Sequence, residues 1–280
     1  MDVRDRFLMA GVMGWPVMHS RSPALHNYWF AKYGLKGVYV PLAIEPGRAG
    51  AALRALHPLG YAGANLTIPH KLEAMAAVDT LDPAGKAIGA ISCVSVSPDG
   101  ELHGSNNDWY GFTENVLEAF PDWRADAGPA AVIGAGGGAR AVVYALAQRG
   151  AKEIRLINRT QERARKLAQD IPGPITLVDW QDRHDALEDC AMAVNATSQG
   201  MQGMPPLDIS LERLPRHALV TDIIYIPLET PFIAAARARG NPTLNGLGML
   251  LHQGRPAWKG WFGLDVEVTP ELRALIEATI

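Results

Sequence analysis

The chain has 280 residues and a formal net charge of −3, and 48% of its residues are hydrophobic and 20% charged. This length exceeds what one hydrophobic core usually organises, so two domains are expected. The composition excludes a chain that is disordered throughout, and the charge gives no electrostatic case for binding nucleic acid. The two cysteines, Cys93 and Cys190, cannot form a disulfide framework, and no group of Cys and His has the spacing of a metal site.

The N-terminal region has no feature of a targeting segment. Its apolar stretch, Phe7 to Met13, is too short for a signal-peptide core, and Gly14-Trp15-Pro16 interrupts it. No segment approaches the roughly 18 uninterrupted apolar residues of a membrane span. We therefore expect a cytoplasmic protein without a membrane partner.

The N-terminal part of the chain alternates short strand-like runs with helical segments, which is typical of an α/β domain. The elements expected there are helices over 24–32, 47–56, 71–78 and 111–120, and strands over 38–40, 63–68 and 91–96. A polar turn-like stretch is expected over 104–108, and a linker over 121–129.

The C-terminal part repeats the alternation at the length that builds a parallel doubly wound sheet. The elements expected there are strands over 131–133, 154–157, 192–194 and 219–224, helices over 141–148 and 162–169, and a last helical region from 248. The predicted fold class is therefore α/β with two domains, the second of them Rossmann-type.

A glycine cluster follows the first strand of this second part and opens a helix. It fits the G-x-G-x-x-A pattern, in which the glycines allow a tight turn and a close approach to a pyrophosphate, while the small last residue permits tight packing. Backbone N–H groups at the helix start then face a negative ligand. The pattern predicts a dinucleotide site at Gly134, Ala135, Gly136, Gly137, Gly138 and Ala139.

The end of the next strand indicates which dinucleotide binds. An NAD site usually has Asp or Glu there, whereas this chain has Asn158-Arg159-Thr160, with Arg163 one helical turn later. A guanidinium pairs with a 2′-phosphate that a carboxylate would repel. These residues favour NADP, although arginines that are simply solvated at a helix start are also common.

Three polar segments of the N-terminal part are candidates for the chemistry. Ser20 and Ser22 lie before a helix, where they can seat a carboxylate or can merely cap the helix. Lys71 follows a strand end, and Asp108 lies in a polar stretch. Together they could transfer a proton to an oxygen that becomes negative when hydride arrives, although each residue type is more often a surface charge.

Taken together, these segments resemble the shikimate dehydrogenase family from about residue 10 to about residue 262. The resemblance is carried, in family order, by Gly14-Trp15-Pro16 through His19-Ser20-Arg21-Ser22-Pro23, Asn65-Leu66-Thr67 with Pro69 and Lys71, Asn106 with Asp108 and Gly111, Gly134 to Arg140, Asn158-Arg159-Thr160, Asn195-Ala196-Thr197-Ser198 with Gly200-Met201, and Gly246-Leu247-Gly248-Met249-Leu250 with Gln253.

The resemblance implies reversible reduction of 3-dehydroshikimate by NADPH, in a cleft between two α/β domains. It implies a substrate domain over 1–110, completed by C-terminal helices over 245–280, and a Rossmann domain over 111–244. The implied catalytic pair is Lys71 and Asp108, and the other implied substrate contacts are Ser20, Ser22, Thr67, Ser92, Tyr225 and Gln253. Besides the glycine cluster, the implied cofactor contacts are Asn158, Arg159, Thr160, Arg163, Asn195, Thr197, Ser198, Ile223, Gly246 and Met249.

Three positions depart from the family pattern, the third being Ile226, which stands where asparagine is common after the tyrosine. Ser92 stands where the family usually has asparagine, and Asn107 stands where threonine is usual. The alternatives are therefore a paralogue acting on quinate, an aminoshikimate or a related hydroxylated cyclic carboxylate, and a non-catalytic NADP-binding sensor. A monomer or a homodimer is expected.

Overall fold

The computed structural model describes residues 3–280, which form two compact units. The first unit extends to Asn107 and also contains Leu250–Thr279, and the second contains Asp108–Met249. Across the described residues, no helix combines the length and the apolar character needed to cross a bilayer.

The first unit is built on a mixed six-stranded sheet, as far as the described residues show. Its strands are β1 (Leu8–Gly14), β2 (Gly37–Ala43), β3 (Gly63–Leu66), β4 (Thr80–Leu81), β5 (Cys93–Val96) and β6 (Leu102–Ser105). Its helices are α1 (Ser22–Lys32), α2 (Ala49–Ala55) and α3 (Pro83–Ile88), and near the C-terminus α9 (Pro270–Glu277) and most of α8 (Leu247–Phe262).

The strand order of this sheet is β2-β1-β3-β5-β6-β4. Strands β1, β2 and β3 run parallel, whereas β5 is antiparallel to both β3 and β6. The carboxyl ends of β1 and β3 therefore lie at the same edge as the start of β5 and the end of β6. Four loops that are distant in sequence leave the sheet at this edge.

An aromatic cluster fills the core between α1 and α8 in the first unit. The buried ring of His26 stacks on Tyr39, with ring centroids 4.0 Å apart, and its Nδ1 accepts a hydrogen bond of 2.7 Å from Trp258 Nε1. The indole N–H of Trp261 donates to the carbonyl oxygen of Val94 in β5. These bonds satisfy both indole donors and hold α8 against α1 and against the sheet.

The second unit contains a six-stranded sheet whose pairings are parallel throughout the described chain. Its strands are β7 (Ala130–Ile133), β8 (Ile154–Ile157), β9 (Ile175–Val178), β10 (Met192–Asn195), β11 (Leu219–Asp222) and β12 (Thr243–Leu244). Its helices are α4 (Asp108–Ala119), α5 (Gly137–Gln148), α6 (Gln161–Asp170) and α7 (Pro231–Ala238), and α8 begins in it.

The strand order is β12-β11-β10-β7-β8-β9, so the chain leaves β7 toward β8 and later returns to its other side as β10. This reversal is the topological switch point at which open parallel sheets bind ligands. Apolar side chains of the strands, among them Val132, Leu156 and Val194, are fully buried between the helices. The predicted α/β class with a Rossmann-type sheet is confirmed.

Several predicted elements differ in detail from the structure. Residues 104–108 are not one turn, because β6 runs to Ser105 and Asp108 is the first residue of α4. The segment predicted as a helix over 71–78 is a short 3₁₀ helix, Glu73–Ala77. Strands β1, β4, β9 and β12 and helices α3 and α7 were not predicted. Strands β4 and β12 have two residues each, and β1 is an apolar run without the alternation that identifies a strand.

Candidate active site

The loops that carry the predicted substrate residues leave one edge of the first sheet. The register pairs Met13 with Leu66 at the ends of β1 and β3, Asn65 with Cys93, and Cys93 with Ser105. The Ser20 loop, the Thr67–Lys71 segment, Ser92 and Asn107 therefore start from neighbouring positions. The antiparallel β5 brings its first residues, rather than its last, to this edge.

The Ser20 loop connects β1 to α1. The hydroxyl of Ser20 accepts a hydrogen bond of 3.2 Å from the backbone N–H of Ser22, the first residue of α1. Ser20 is half-buried and Ser22 is 5% exposed. Because Arg21 at the N-cap position makes no side-chain capping bond, Ser20 contributes to ordering the start of α1. A role as helix cap and a role as carboxylate seat are compatible here.

Lys71 is half-buried and lies five residues beyond the end of β3. The segment leading to it is held by its backbone: the N–H of Thr67 donates to Met13 and the N–H of His70 donates to Thr67. The carbonyl of Lys71 in turn accepts a bond of 2.9 Å from the N–H of Ile91. The backbone of the lysine is therefore attached to the residue just before Ser92.

Ser92 is 2% exposed, and its hydroxyl accepts a hydrogen bond of 2.8 Å from the backbone N–H of Asn107. The side chain of Asn106 donates to the carbonyl of Ala90. Two bonds thus hold the 106–107 backbone against the chain that precedes β5. Asp108 follows directly and is itself buried, at 5% exposure.

A buried hydrogen-bond network that includes Tyr39, which we did not predict as a site residue, connects these loops. The Tyr39 hydroxyl donates to Asn65 Oδ1 over 2.7 Å, and the Asn65 amide nitrogen lies 3.4 Å from Gln253 Oε1 and 3.3 Å from the Ser92 carbonyl oxygen. Burial raises the pKa of Tyr39 well above its usual value, and a hydrogen bond with Ser22 partly opposes this. An alternating strand pattern gives no reason to single out Tyr39, so only the fold identifies it.

In the second unit, the glycine cluster has the geometry that a dinucleotide requires. Gly134 has φ +119°, and a Cβ there would lie 2.8 Å from the Ala196 carbonyl oxygen, so a side chain is excluded. Gly136 faces open space, and no side chain caps α5 at this N-cap position. Since α5 also has no acidic residue in its first turn, its N–H groups can receive a pyrophosphate. The other members of the cluster are Ala135, Gly137, Gly138 and Ala139.

The end of β8 carries the residues predicted for the 2′-phosphate. Asn158 is half-buried and its amide donates to the Thr160 carbonyl, which shapes the turn before α6. Arg159, Thr160 and Arg163 are exposed. The register pairs Ile133 with Ile157, so this turn and the glycine cluster leave the same edge of the sheet. The cationic side chains suit an additional phosphate at this position.

Asn195 and Asp222, at the ends of β10 and β11, form a buried polar network. The Asn195 amide donates to Asp222 Oδ2 over 3.0 Å, and its oxygen accepts from the N–H and the hydroxyl of Thr197. Asp222 also accepts from the Ile224 N–H and the Thr230 hydroxyl. Burial raises the pKa of Asp222 to about 6. Asn195 therefore shapes the loop that carries Thr197 and exposed Ser198, and Asp222 is a second residue that we did not predict.

Of the remaining predicted residues, Ile223, Tyr225 and Gly246 lie in loops that follow strands, whereas Met249 lies in α8. Ile223 and half-buried Tyr225 follow β11. Gly246 packs so closely that an added Cβ would clash with the Ile223 carbonyl, and its N–H donates to Ile224. Met249 packs against the apolar core of the second unit. In residues 3–280, no group of three or more His, Cys, Asp or Glu is arranged to hold a metal ion.

Two family models match the chain. Residues 12–94 match the shikimate dehydrogenase substrate binding domain, and residues 118–205 match the shikimate / quinate 5-dehydrogenase model. A shikimate dehydrogenase (NADP(+)) of Paramagnetospirillum magneticum is 52% identical over 268 residues, which cover 96% of this chain and 97% of that protein.

Solved structures of a shikimate dehydrogenase and a quinate dehydrogenase are similar to this chain over nearly its whole length. The shikimate 5-dehydrogenase of Thermus thermophilus in complex with NADP(H) and shikimate has a TM-score of 0.86 at 32% identity, covering 98% of this chain and 100% of that one. The quinate dehydrogenase of Corynebacterium glutamicum in complex with NAD has a TM-score of 0.90 at 29% identity, with coverage of 98% and 100%. Because the sequence and fold matches both span nearly the whole chain, this protein belongs to the shikimate dehydrogenase family.

Proposed function

We propose that this chain catalyses the reversible, NADP-dependent reduction of 3-dehydroshikimate to shikimate. The observation that carries the proposal is the shared sheet edge in the first unit, from which the Ser20 loop, the Lys71 segment, Ser92 and Asn107 all start. Two relatives that are 52% identical to this chain over 96% of its length are named shikimate dehydrogenase (NADP(+)).

The chemistry that we assign to Lys71 and Asp108 is proton transfer. When bound, NADPH supplies the hydride that reduces the ring ketone carbon. The Lys71 ammonium stabilises the negative oxygen that forms and gives it a proton, so that the C=O group becomes CH–OH. The Asp108 carboxylate accepts a hydrogen bond from the substrate and orients it. In the reverse direction, Lys71 removes the hydroxyl proton.

This mechanism is tested by Lys71→Met and Asp108→Asn, assayed through the absorbance of the reduced nicotinamide. We expect each change to lower kcat by about 100-fold or more, because a positioned acid or base contributes that much. NADPH binding, followed by fluorescence titration, should stay unchanged. The matched control is Lys86→Met, an exposed lysine in α3 of the same unit. A Lys71→Met variant with near-normal kcat would refute the mechanism.

We further propose that Arg159 and Arg163, with Asn158 and Thr160, bind the 2′-phosphate of NADP. We expect Arg159→Gln to raise the KM for NADPH and leave the KM for NADH nearly unchanged, because only the former carries this phosphate. Arg149→Gln, at the opposite end of α5, is the control. Equal changes for both cofactors would mean that Arg159 does not discriminate between them.

The second candidate is oxidation of quinate, an aminoshikimate or another hydroxylated cyclic carboxylate. It is favoured by the serine at position 92 and by the structural similarity to a quinate dehydrogenase in complex with NAD. Assays of the wild-type enzyme with shikimate and with quinate, each with NADP and with NAD, separate the two candidates. Binding of NADP without turnover of either substrate would favour a non-catalytic sensor or a substrate other than these two.

We also propose that the chain acts in the cytoplasm as a monomer or a homodimer. Sedimentation equilibrium over a range of protein concentrations would distinguish these two states, and a larger assembly would contradict the proposal.

A further inference from the structure

The side-chain amide nitrogen of Asn107 is a buried donor that makes no hydrogen bond within the described part of the chain. Asn107 is 5% exposed, and among the described residues its Nδ2 has no hydrogen-bond partner. Buried polar groups are nearly always paired, because an unmade hydrogen bond in the interior costs stability. An unpaired amide nitrogen at this place therefore needs an explanation.

The rest of Asn107 is firmly held, which determines where the free N–H bonds point. Its backbone N–H donates to the Ser92 hydroxyl over 2.8 Å, and its Oδ1 accepts from the Ser105 hydroxyl over 3.3 Å. The backbone is therefore held at Ser92, directly before β5, and the amide oxygen is held at Ser105 in β6. A donor held in this way is pre-organised for an acceptor, since little conformational freedom is lost when one binds.

The neighbouring amides at this edge are already committed to protein acceptors. Asn106 donates to the Ala90 carbonyl, Gln253 donates to the Leu250 carbonyl, and Asn65 donates to the Ser92 carbonyl. Asn107 differs from them, although it lies directly before Asp108. Its position and its unused donor are those of a ligand contact rather than of a structural amide.

We infer that Asn107 is a specificity-determining residue whose Nδ2 donates a hydrogen bond to a ring hydroxyl of the substrate. The inference rests on the proposed function, because it takes a hydroxylated cyclic carboxylate as the ligand. A neutral amide suits a hydroxyl oxygen, which accepts one hydrogen bond while donating another to a carboxylate. Asn107 would thus distinguish substrates by a ring hydroxyl that takes no part in the oxidation.

The test compares Asn107→Ala with the wild type on shikimate and on analogues that each lack one non-reacting ring hydroxyl. For shikimate we expect kcat/KM to fall about 5- to 150-fold, which is the effect of one lost hydrogen bond in a buried site. For the analogue that lacks the contacted hydroxyl, we expect the variant and the wild type to have equal kcat/KM. The dissociation constant of NADP should not change.

Asn107→Leu repeats the test with a side chain of similar size that has no hydrogen-bond donor, in case the alanine variant does not fold. Asn241→Ala removes a buried amide from the second unit and controls for a general loss of stability. This variant should leave unchanged the ratio of kcat/KM for shikimate to kcat/KM for each analogue. An equal loss on shikimate and on every analogue, or no loss, overturns the inference while the proposed function stands. If wild-type enzyme does not oxidise shikimate, the proposed function fails and the inference fails with it.

Discussion

The hydroxyl of Ser92 accepts a hydrogen bond from the backbone N–H of Asn107, with 2.8 Å between the oxygen and the nitrogen. This bond joins the chain that enters β5 to the chain that leaves β6, at the residue before Asp108. The family resemblance implies Ser92 as a substrate contact, and the structure gives its hydroxyl a positioning role that is visible without substrate. Both roles can coexist, because a hydroxyl that accepts one bond can still donate another.

Replacing Ser92 with alanine should destabilise the fold. Ser92→Ala leaves the buried N–H of Asn107 without its acceptor, so we expect the free energy of unfolding to fall by about 1–3 kcal/mol. Urea denaturation followed by circular dichroism measures this change. Ser95→Ala, a half-buried serine of β5, is the control and should change stability by less than about 0.5 kcal/mol. Equal effects of the two changes would contradict the role of the Ser92 hydroxyl.

Asp222 should make the protein less stable as the pH rises from about 4 to about 6. Burial raises its pKa to about 6, from an ordinary 3.8. The folded state therefore keeps a proton in this window that the unfolded state has released, and the free energy of unfolding falls as the pH increases. We expect this contribution to reach about 3 kcal/mol and to be absent from Asp222→Asn. Urea denaturation at a series of pH values measures it.

A surface carboxylate with the opposite shift provides the control for Asp222. A hydrogen bond from the Arg54 guanidinium lowers the pKa of Asp79 to about 2. Its stabilising contribution is present above the ordinary pKa and is lost as the pH falls toward 2, so Asp79→Asn should change the pH profile in the opposite sense. Profiles of the two variants that deviate from the wild type in the same direction would show that at least one of the two assignments is wrong.

His26 should make the protein acid-sensitive. Burial lowers its pKa to about 3, from an ordinary 6.5. Below pH 6.5 the unfolded state takes up a proton that the folded state does not, so stability should decrease by about 1.4 kcal/mol per pH unit from this group. His26→Phe keeps a ring beside Tyr39 but cannot be protonated, and its stability deficit relative to the wild type should shrink as the pH falls. A deficit independent of pH would mean that His26 does not titrate in this way.

Gly63 should tolerate no side chain. An added Cβ would clash with the Val94 carbonyl oxygen and the Trp261 indole nitrogen, and both atoms belong to the rigid packing of α8 on the sheet. We expect Gly63→Ala to lower the free energy of unfolding by about 1–3 kcal/mol or more, because overpacked cores are strained. Thermal denaturation by calorimetry measures the loss.

Gly50 is the matched control for Gly63. It lies in α2, and the nearest atom to an added Cβ is Ala77 Cβ at 3.4 Å, an ordinary contact. Gly50→Ala should therefore raise stability by about 0.5–1 kcal/mol, since alanine loses less backbone freedom in a helix. Equal stability of Gly63→Ala and Gly50→Ala would contradict the claim that β3 packs too closely against Trp261 to admit a side chain at position 63.

The glycine cluster and the strand ends of the second unit were predictable, because a parallel sheet follows from local alternation of strand and helix. The predicted family and fold class are confirmed, whereas the site residues and the boundaries of the substrate and Rossmann domains stay predictions. The burial of Asp222 could not be predicted from the local sequence, because nothing in that sequence distinguishes a buried carboxylate at a strand end from an exposed one. The start of α4 at Asp108 was also missed, because the polar residues before it are typical of a turn.

Local composition and motif order are enough to establish the family, the α/β class and the NADP preference that we expect, because these depend on residue types at short, regular spacing. Only the tertiary structure decided that Ser92 holds Asn107, that Tyr39 donates to Asn65, and that the Asn107 amide nitrogen has no acceptor within residues 3–280. The first two are hydrogen bonds between residues that are 15 or more positions apart in the sequence, and the third is the absence of a hydrogen bond. The Ser92–Asn107 bond depends on the antiparallel pairing of β5 with β6, and the Tyr39–Asn65 bond on the placement of β2 and β3 on either side of β1. No local pattern specifies these pairings.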